Sequence, residues 1–125
     1  MLLGNLYNIT SQRNEENQFY AEISINASHE IFTGHFPGQP ILPGVCMMQM
    51  VREMLEQQVH QKLQVSEAAN MKFTAMLDPT VHASASMSIS YTASANYWAV
   101  KASLTHNELT FFSFSGTIKS VSAEQ

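Results

Sequence analysis

Cysteine occurs once in this chain of 125 residues, at Cys46, so no disulfide can close within it and a reducing, cytoplasmic setting is expected. Basic residues are also few. Six Lys and Arg stand against ten Asp and Glu, and a formal charge of -4 leaves no basic stripe for nucleic acid or an anionic membrane surface. Long apolar runs are missing, and the first residues, MLLGNLYNITS, carry no basic region before their short apolar run, so neither a signal peptide nor a membrane span is expected. HxH, HExxH and clustered cysteines are absent, which predicts no metal site. No glycine-rich phosphate loop follows a strand and opens a helix, which excludes the common nucleotide sites. The length suits one domain, residues 1–125, with one hydrophobic core.

Against that background one stretch stands out, FTGHFPGQPILPGVCMMQ, from Phe32 to Gln49. Gly34, Gly38 and Gly44 alternate with Pro37, Pro40 and Pro43, a composition that predicts a rigid irregular loop holding His35 in place. Pro43 and Gly44 then open a helix expected to run to about Lys62, with Val45, Met48, Val51, Met54, Leu55 and Val59 at spacings of three and four. Apolar residues, including Met47 and Met50, spread beyond one stripe, so the helix should be wrapped by a curved sheet. Cys46 reads as a small core residue.

The rest of the chain alternates with a period of two. Phe19, Ala21, Ile23 and Ile25 oppose Tyr20, Glu22, Ser24 and Asn26, as in a strand with one buried face, after a short strand over Leu6–Thr10 and a polar turn from Arg13 to Gln18. Beyond the helix, strands are expected over Ala69–Ala75, Val81–Thr92, Tyr97–Leu104 and Leu109–Ile118, separated by turns at Asp78-Pro79, Ser94–Asn96 and His106-Asn107. The pattern alone predicts an α+β layer of helix on antiparallel sheet.

The string GHFPGQPILPGV, with His35, Phe36, Pro37, Pro40, Pro43, Gly44 and Val45 at fixed spacings, resembles the signature of the hot-dog-fold 3-hydroxyacyl-[acyl-carrier-protein] dehydratases. Lys72-Phe73 and the Asp78-Pro79 turn are similar to that family's strand after the helix. The resemblance implies a hot-dog fold, a long central helix wrapped by a curved antiparallel sheet, and a site at a dimer interface where the histidine of one protomer faces an acid of the other. It implies His35 as the catalytic base and the Gly44 N–H as donor to the thioester oxygen. It also implies an acyl tunnel past Phe36, Val45, Met47 and Met48, and a substrate carried on the phosphopantetheine of acyl carrier protein, with no cofactor of the enzyme's own.

An imidazole titrates near neutral pH and suits the base, while the first N–H groups of a helix lack internal partners and sit in positive potential. The family's acid, fourteen positions after the histidine, falls here on Gln49, and an amide cannot supply a proton. Two sources for an acid stay open. Glu53 lies one helical turn further on, as though acid and amide had been exchanged, although it can equally be a surface charge paired with a neighbour. The other source is an acid-bearing homologue in a mixed dimer, in place of a homodimer or an oligomer of dimers. The functional expectations are a dehydratase of fatty acid or related lipid or polyene synthesis, a non-catalytic or hetero-oligomeric dehydratase subunit lacking its own acid, or an acyl thioesterase.

Overall fold

The computed structural model describes residues 1–33 and 40–121. Six strands and one long helix account for most of them: β1 Tyr7–Glu15, β2 Gln18–Ile25, α1 Gly44–Val59, β3 Leu63–Phe73, β4 Ser84–Ala93, β5 Trp98–His106 and β6 Leu109–Ser120, with a 3-10 turn at Glu30–Phe32. All six strands form one antiparallel sheet in the order β1-β2-β4-β5-β6-β3, so β1 and β3 are its edges.

The central strands follow from their alternation. Phe19, Ala21, Ile23 and Ile25 of β2 are buried, as are Ala85, Met87 and Ile89 of β4 and Val100, Ala102 and Leu104 of β5. Register aligns them in rows: Phe19 pairs with Ile89, and Ile89 with Ala102, which pairs with Phe114 of β6. Against this inner face lies α1, which buries Cys46, Met47, Met50, Val51, Met54 and Leu55. Burial of each large side chain contributes about 1.5–3 kcal/mol, so this layer is the main source of stability. The α+β arrangement expected from the sequence is therefore present, with the helix lying on one face of a single antiparallel sheet.

Several boundaries differ from expectation. β1 continues through Arg13 to Glu15, and the turn is confined to Glu16 and Asn17, the latter at φ 62°. Arg13 remains in the strand because it pairs with Tyr20, lies 4.3 Å from that ring and contacts Glu15 at 3.0 Å. β3 begins at Leu63, six residues before the expected start. The cause is an earlier end to the helix: His60 takes the left-handed conformation at φ 59°, its N–H donates to the Glu56 carbonyl, and the Glu56 carboxylate accepts from Leu63 N–H at 2.9 Å. Arg52 holds that same carboxylate at 2.9 Å. At the far end of β3, Gly116 of β6 faces the Glu67 carbonyl and Ala68 so closely that a β-carbon would not fit. No helix among the described residues is long and apolar enough to cross a membrane.

Candidate active site

His35 and Phe36, the proposed base and one proposed lining residue, lie outside the described residues, as do Gly34 and Pro37–Gln39. The structure does place the helix that carries the remaining residues. Leu42 N–H donates to the Leu77 carbonyl at 2.9 Å, which fixes where the chain turns into α1. Pro43 is the N-cap with extended backbone and provides no side-chain cap; Cys46 N–H donates to its carbonyl at 3.0 Å, and the Gly44 and Val45 N–H groups lie ahead of that first bond, where a helix has no internal acceptor to offer. This end carries the positive pole of the helix.

Gly44 has a close neighbour. A β-carbon on it would come within 2.5 Å of the Phe73 ring at the end of β3, so the absent side chain makes room for an aromatic ring. Phe73 stacks in turn on Phe112 at 5.2 Å and is half exposed. The helix start is thus flanked by an aromatic wall.

Val45, Met48, Gln49 and Arg52 recur at three and four residues and share the less buried stripe of α1. Val45, read from the sequence as part of the buried face, is instead 75 % exposed. Two overlapping apolar stripes run along this helix, and the sheet covers the one through Cys46, Met50 and Met54. Met48 is half-buried and packs on the core's rim, while Gln49 is half-buried beside it.

Glu53 falls on the covered stripe. It is 1 % exposed, the one buried charged residue among those described, which corrects the reading of it as a surface charge. Its carboxylate accepts four hydrogen bonds: Oε2 from Leu2 N–H at 2.7 Å and Gln49 Nε2 at 2.8 Å, Oε1 from Leu3 N–H at 3.0 Å and the Tyr7 hydroxyl at 3.0 Å. A carboxylate has about four lone-pair positions, and here each has a donor. The charge acts on its neighbours. Burial pushes the Tyr7 phenol far above its ordinary range, and the Glu53 charge and hydrogen bond push further in the same direction. The Cys46 thiol is raised too, by burial first and by Glu53 second.

Sequence reasoning missed this network because three of its four donors come from the N-terminal segment, 46 to 51 residues away, and two of them are backbone groups. The one available signal was the place of Glu53 between Met50 and Met54. Among the other histidines, His29 accepts from Ile31 N–H to cap the 3-10 turn, and His82 and His106 stack edge to face at 4.8 Å. No cluster of metal-binding side chains occurs among the described residues.

A family model described as "ApeI-like: ApeI dehydratase" matches residues 11–113. Among curated proteins, a 3-hydroxyacyl-[acyl-carrier-protein] dehydratase FabZ of Mannheimia succiniciproducens is 50 % identical over 42 residues, 31 % of this chain. That alignment covers only 27 % of the relative's length. Among solved structures, the dehydratase heterocomplex ApeI:P from Xenorhabdus doucetiae superposes with a TM-score of 0.72 at 18 % identity, covering 89 % of this chain and 96 % of that one. An uncharacterized protein from Erwinia carotovora gives 0.68 at 19 % identity over 89 % and 91 %, and Cj0977 of Campylobacter jejuni, a sigma28-regulated virulence protein, gives 0.64 at 8 % over 90 % and 83 %. These likenesses, with one helix against a six-stranded antiparallel sheet, establish the hot-dog fold.

Proposed function

Because the chain belongs to the ApeI-like dehydratase family, we propose that it is a subunit of a dehydratase acting on 3-hydroxyacyl thioesters carried by acyl carrier protein, with the acid of the shared site supplied by a homologous partner. The observation that carries this reading is Gln49. It occupies the place of the family's acid on the open stripe of α1, while the nearest carboxylate, Glu53, is buried with four donors on its two oxygens. A side chain so engaged has no free acceptor position with which to meet a substrate hydroxyl.

In this reading His35 removes the proton beside the thioester carbonyl, and the helix N-terminus stabilises the negative charge that develops on the carbonyl oxygen. The C–O bond at carbon 3 then breaks, its electron pair leaves with the hydroxyl, and the partner's acid protonates that oxygen to give water and the enoyl thioester. Val45 and Met48 line the acyl path, as Phe36 does from the loop. The phosphopantetheine arrives with the substrate, so the protein needs no cofactor of its own.

Two observations support a two-chain site. The structurally similar ApeI:P dehydratase of Xenorhabdus doucetiae is a heterocomplex, and in this chain β3 is an edge strand of 11 residues of which Leu63 alone is buried. Such an edge offers unpaired backbone groups to a second chain. A cytoplasmic setting, where the substrate carrier is found, suits the free thiol of Cys46.

The test follows both products from a 3-hydroxyacyl thioester, conjugated enoyl and free thiol, for the wild type, Gln49→Glu and His35→Ala. The wild type alone should form enoyl product slowly, and Gln49→Glu should raise the rate by about 10² or more, the usual worth of a general acid. His35→Ala should abolish the gain. Release of free thiol without enoyl product would mark a thioesterase and end the proposal.

A further inference from the structure

The hydrogen bond between Gln49 and Glu53 fixes more than a position. Carboxylate oxygens only accept, so at 2.8 Å the group of Gln49 that faces Glu53 must be its NH2. Turned the other way, the amide would place one acceptor oxygen against another. The Glu53 carboxylate is itself immobile, held by Leu2, Leu3 and Tyr7 and excluded from solvent.

We propose that Glu53 is a positioning residue that sets the polarity of the side chain at position 49, turning its Oε1 away from the core as a hydrogen-bond acceptor for the substrate's 3-hydroxyl. This rests on the reading given under Proposed function. Gln49 stands at the acid position, so it faces the other protomer's histidine, and the hydroxyl that donates to it belongs to a substrate held against that histidine; the partner's acid serves the second site, against His35. Gln49 in this arrangement selects hydroxylated acyl chains in its own site without taking part in proton transfer. The amide at 49 and the carboxylate at 53 act as one unit, with the N-terminal segment as its clamp.

The test uses non-hydrolysable amide analogues of pantetheine bearing either a 3-hydroxyacyl or the matching deoxy acyl chain, with the wild type, Glu53→Met and Tyr7→Phe. One neutral hydrogen bond makes the wild type bind the hydroxylated analogue about 2- to 10-fold tighter. Glu53→Met frees the amide and should bring that ratio to about one. Tyr7→Phe removes a donor to Glu53 but leaves the Gln49 contact, so it should lower stability and keep the ratio; equal loss of the ratio in both variants would reduce Glu53 to a structural role and overturn the proposal. A second readout needs no variant and no ligand: in the wild type, side-chain amide protons of Gln49 should exchange with solvent more slowly than those of exposed Gln57 on the same helix. Equal exchange overturns the positioning claim, whereas slow exchange with no binding of either analogue retains it and overturns the substrate reading.

Discussion

Replacing Glu53 by Met keeps the length of the side chain and removes the acceptor for four donors. The loss can be sized from where those donors lie. The Tyr7 hydroxyl is fully buried, and leaving it without a partner costs about 1–3 kcal/mol. Leu2 N–H, Leu3 N–H and the Gln49 amide are only part-buried, so water can reach them once the N-terminal segment loosens, and each costs less than about 1 kcal/mol. Burial of the thioether offsets part of this. The net expectation is a loss of about 2–4 kcal/mol, a large share of the roughly 5–15 kcal/mol that holds a domain together. Urea unfolding followed by Trp98 fluorescence measures it, and adding Tyr7→Phe to Glu53→Met tests the mechanism. With no orphaned phenol left, the double variant should be less destabilised than the sum of the singles, by about 1–2 kcal/mol. Strict additivity, or a Glu53→Met variant within about 0.5 kcal/mol of the wild type, would refute the view that this carboxylate anchors the N-terminal segment.

Other expectations follow from single contacts. His60→Gly relieves a left-handed conformation at the helix end and should stabilise the protein by about 0.5–1 kcal/mol in the same urea assay. Gly44→Ala drives a methyl group into the Phe73 ring and should cost about 1–3 kcal/mol, most of it recovered in Gly44→Ala/Phe73→Ala, because the obstacle is that one half-exposed ring. The Thr80 hydroxyl and backbone N–H donate to Asp78 at 2.6 and 2.9 Å and hold its carboxyl below the ordinary range. A depressed carboxyl adds stability above its unfolded value of about 4 and loses it as pH falls through the lower folded value. Thr80→Val should therefore flatten the decline in stability below pH of about 4, and an unchanged acid limb would discount this hydrogen bond.

The central sheet and its helix could be read from the chain because burial on one side imposes a period. Ala85, Met87 and Ile89 face inward between half-buried serines, and Met50, Met54 and Leu55 repeat at helical spacing. The edge strands were legible only in part: the strands expected over Leu6–Thr10 and Ala69–Ala75 overlap β1 and β3 but miss most of their length. β3 is exposed on both faces for almost its whole length and β1 nearly so, which leaves no alternation to detect. For the site, the place of Gln49 came from its distance to His35 in the motif, whereas the buried stripe of α1 was misjudged at Val45. Both stripes of that helix are rich in methionine and valine, and only the sheet decides between them. Glu53 was unreadable for a related reason: a carboxylate is buried where donors already wait, and Leu2 and Leu3 offer theirs through the backbone, which no residue type announces.

A shared site can be tested by complementation. Wild-type protein, with a base and no acid, is mixed with a His35→Ala/Gln49→Glu variant, with an acid and no base, under conditions where native mass spectrometry shows that subunits exchange. The account predicts that enoyl product forms at least about 10²-fold faster in the mixture than in either protein alone. A mixture that forms mixed dimers and stays as slow as its components would contradict it.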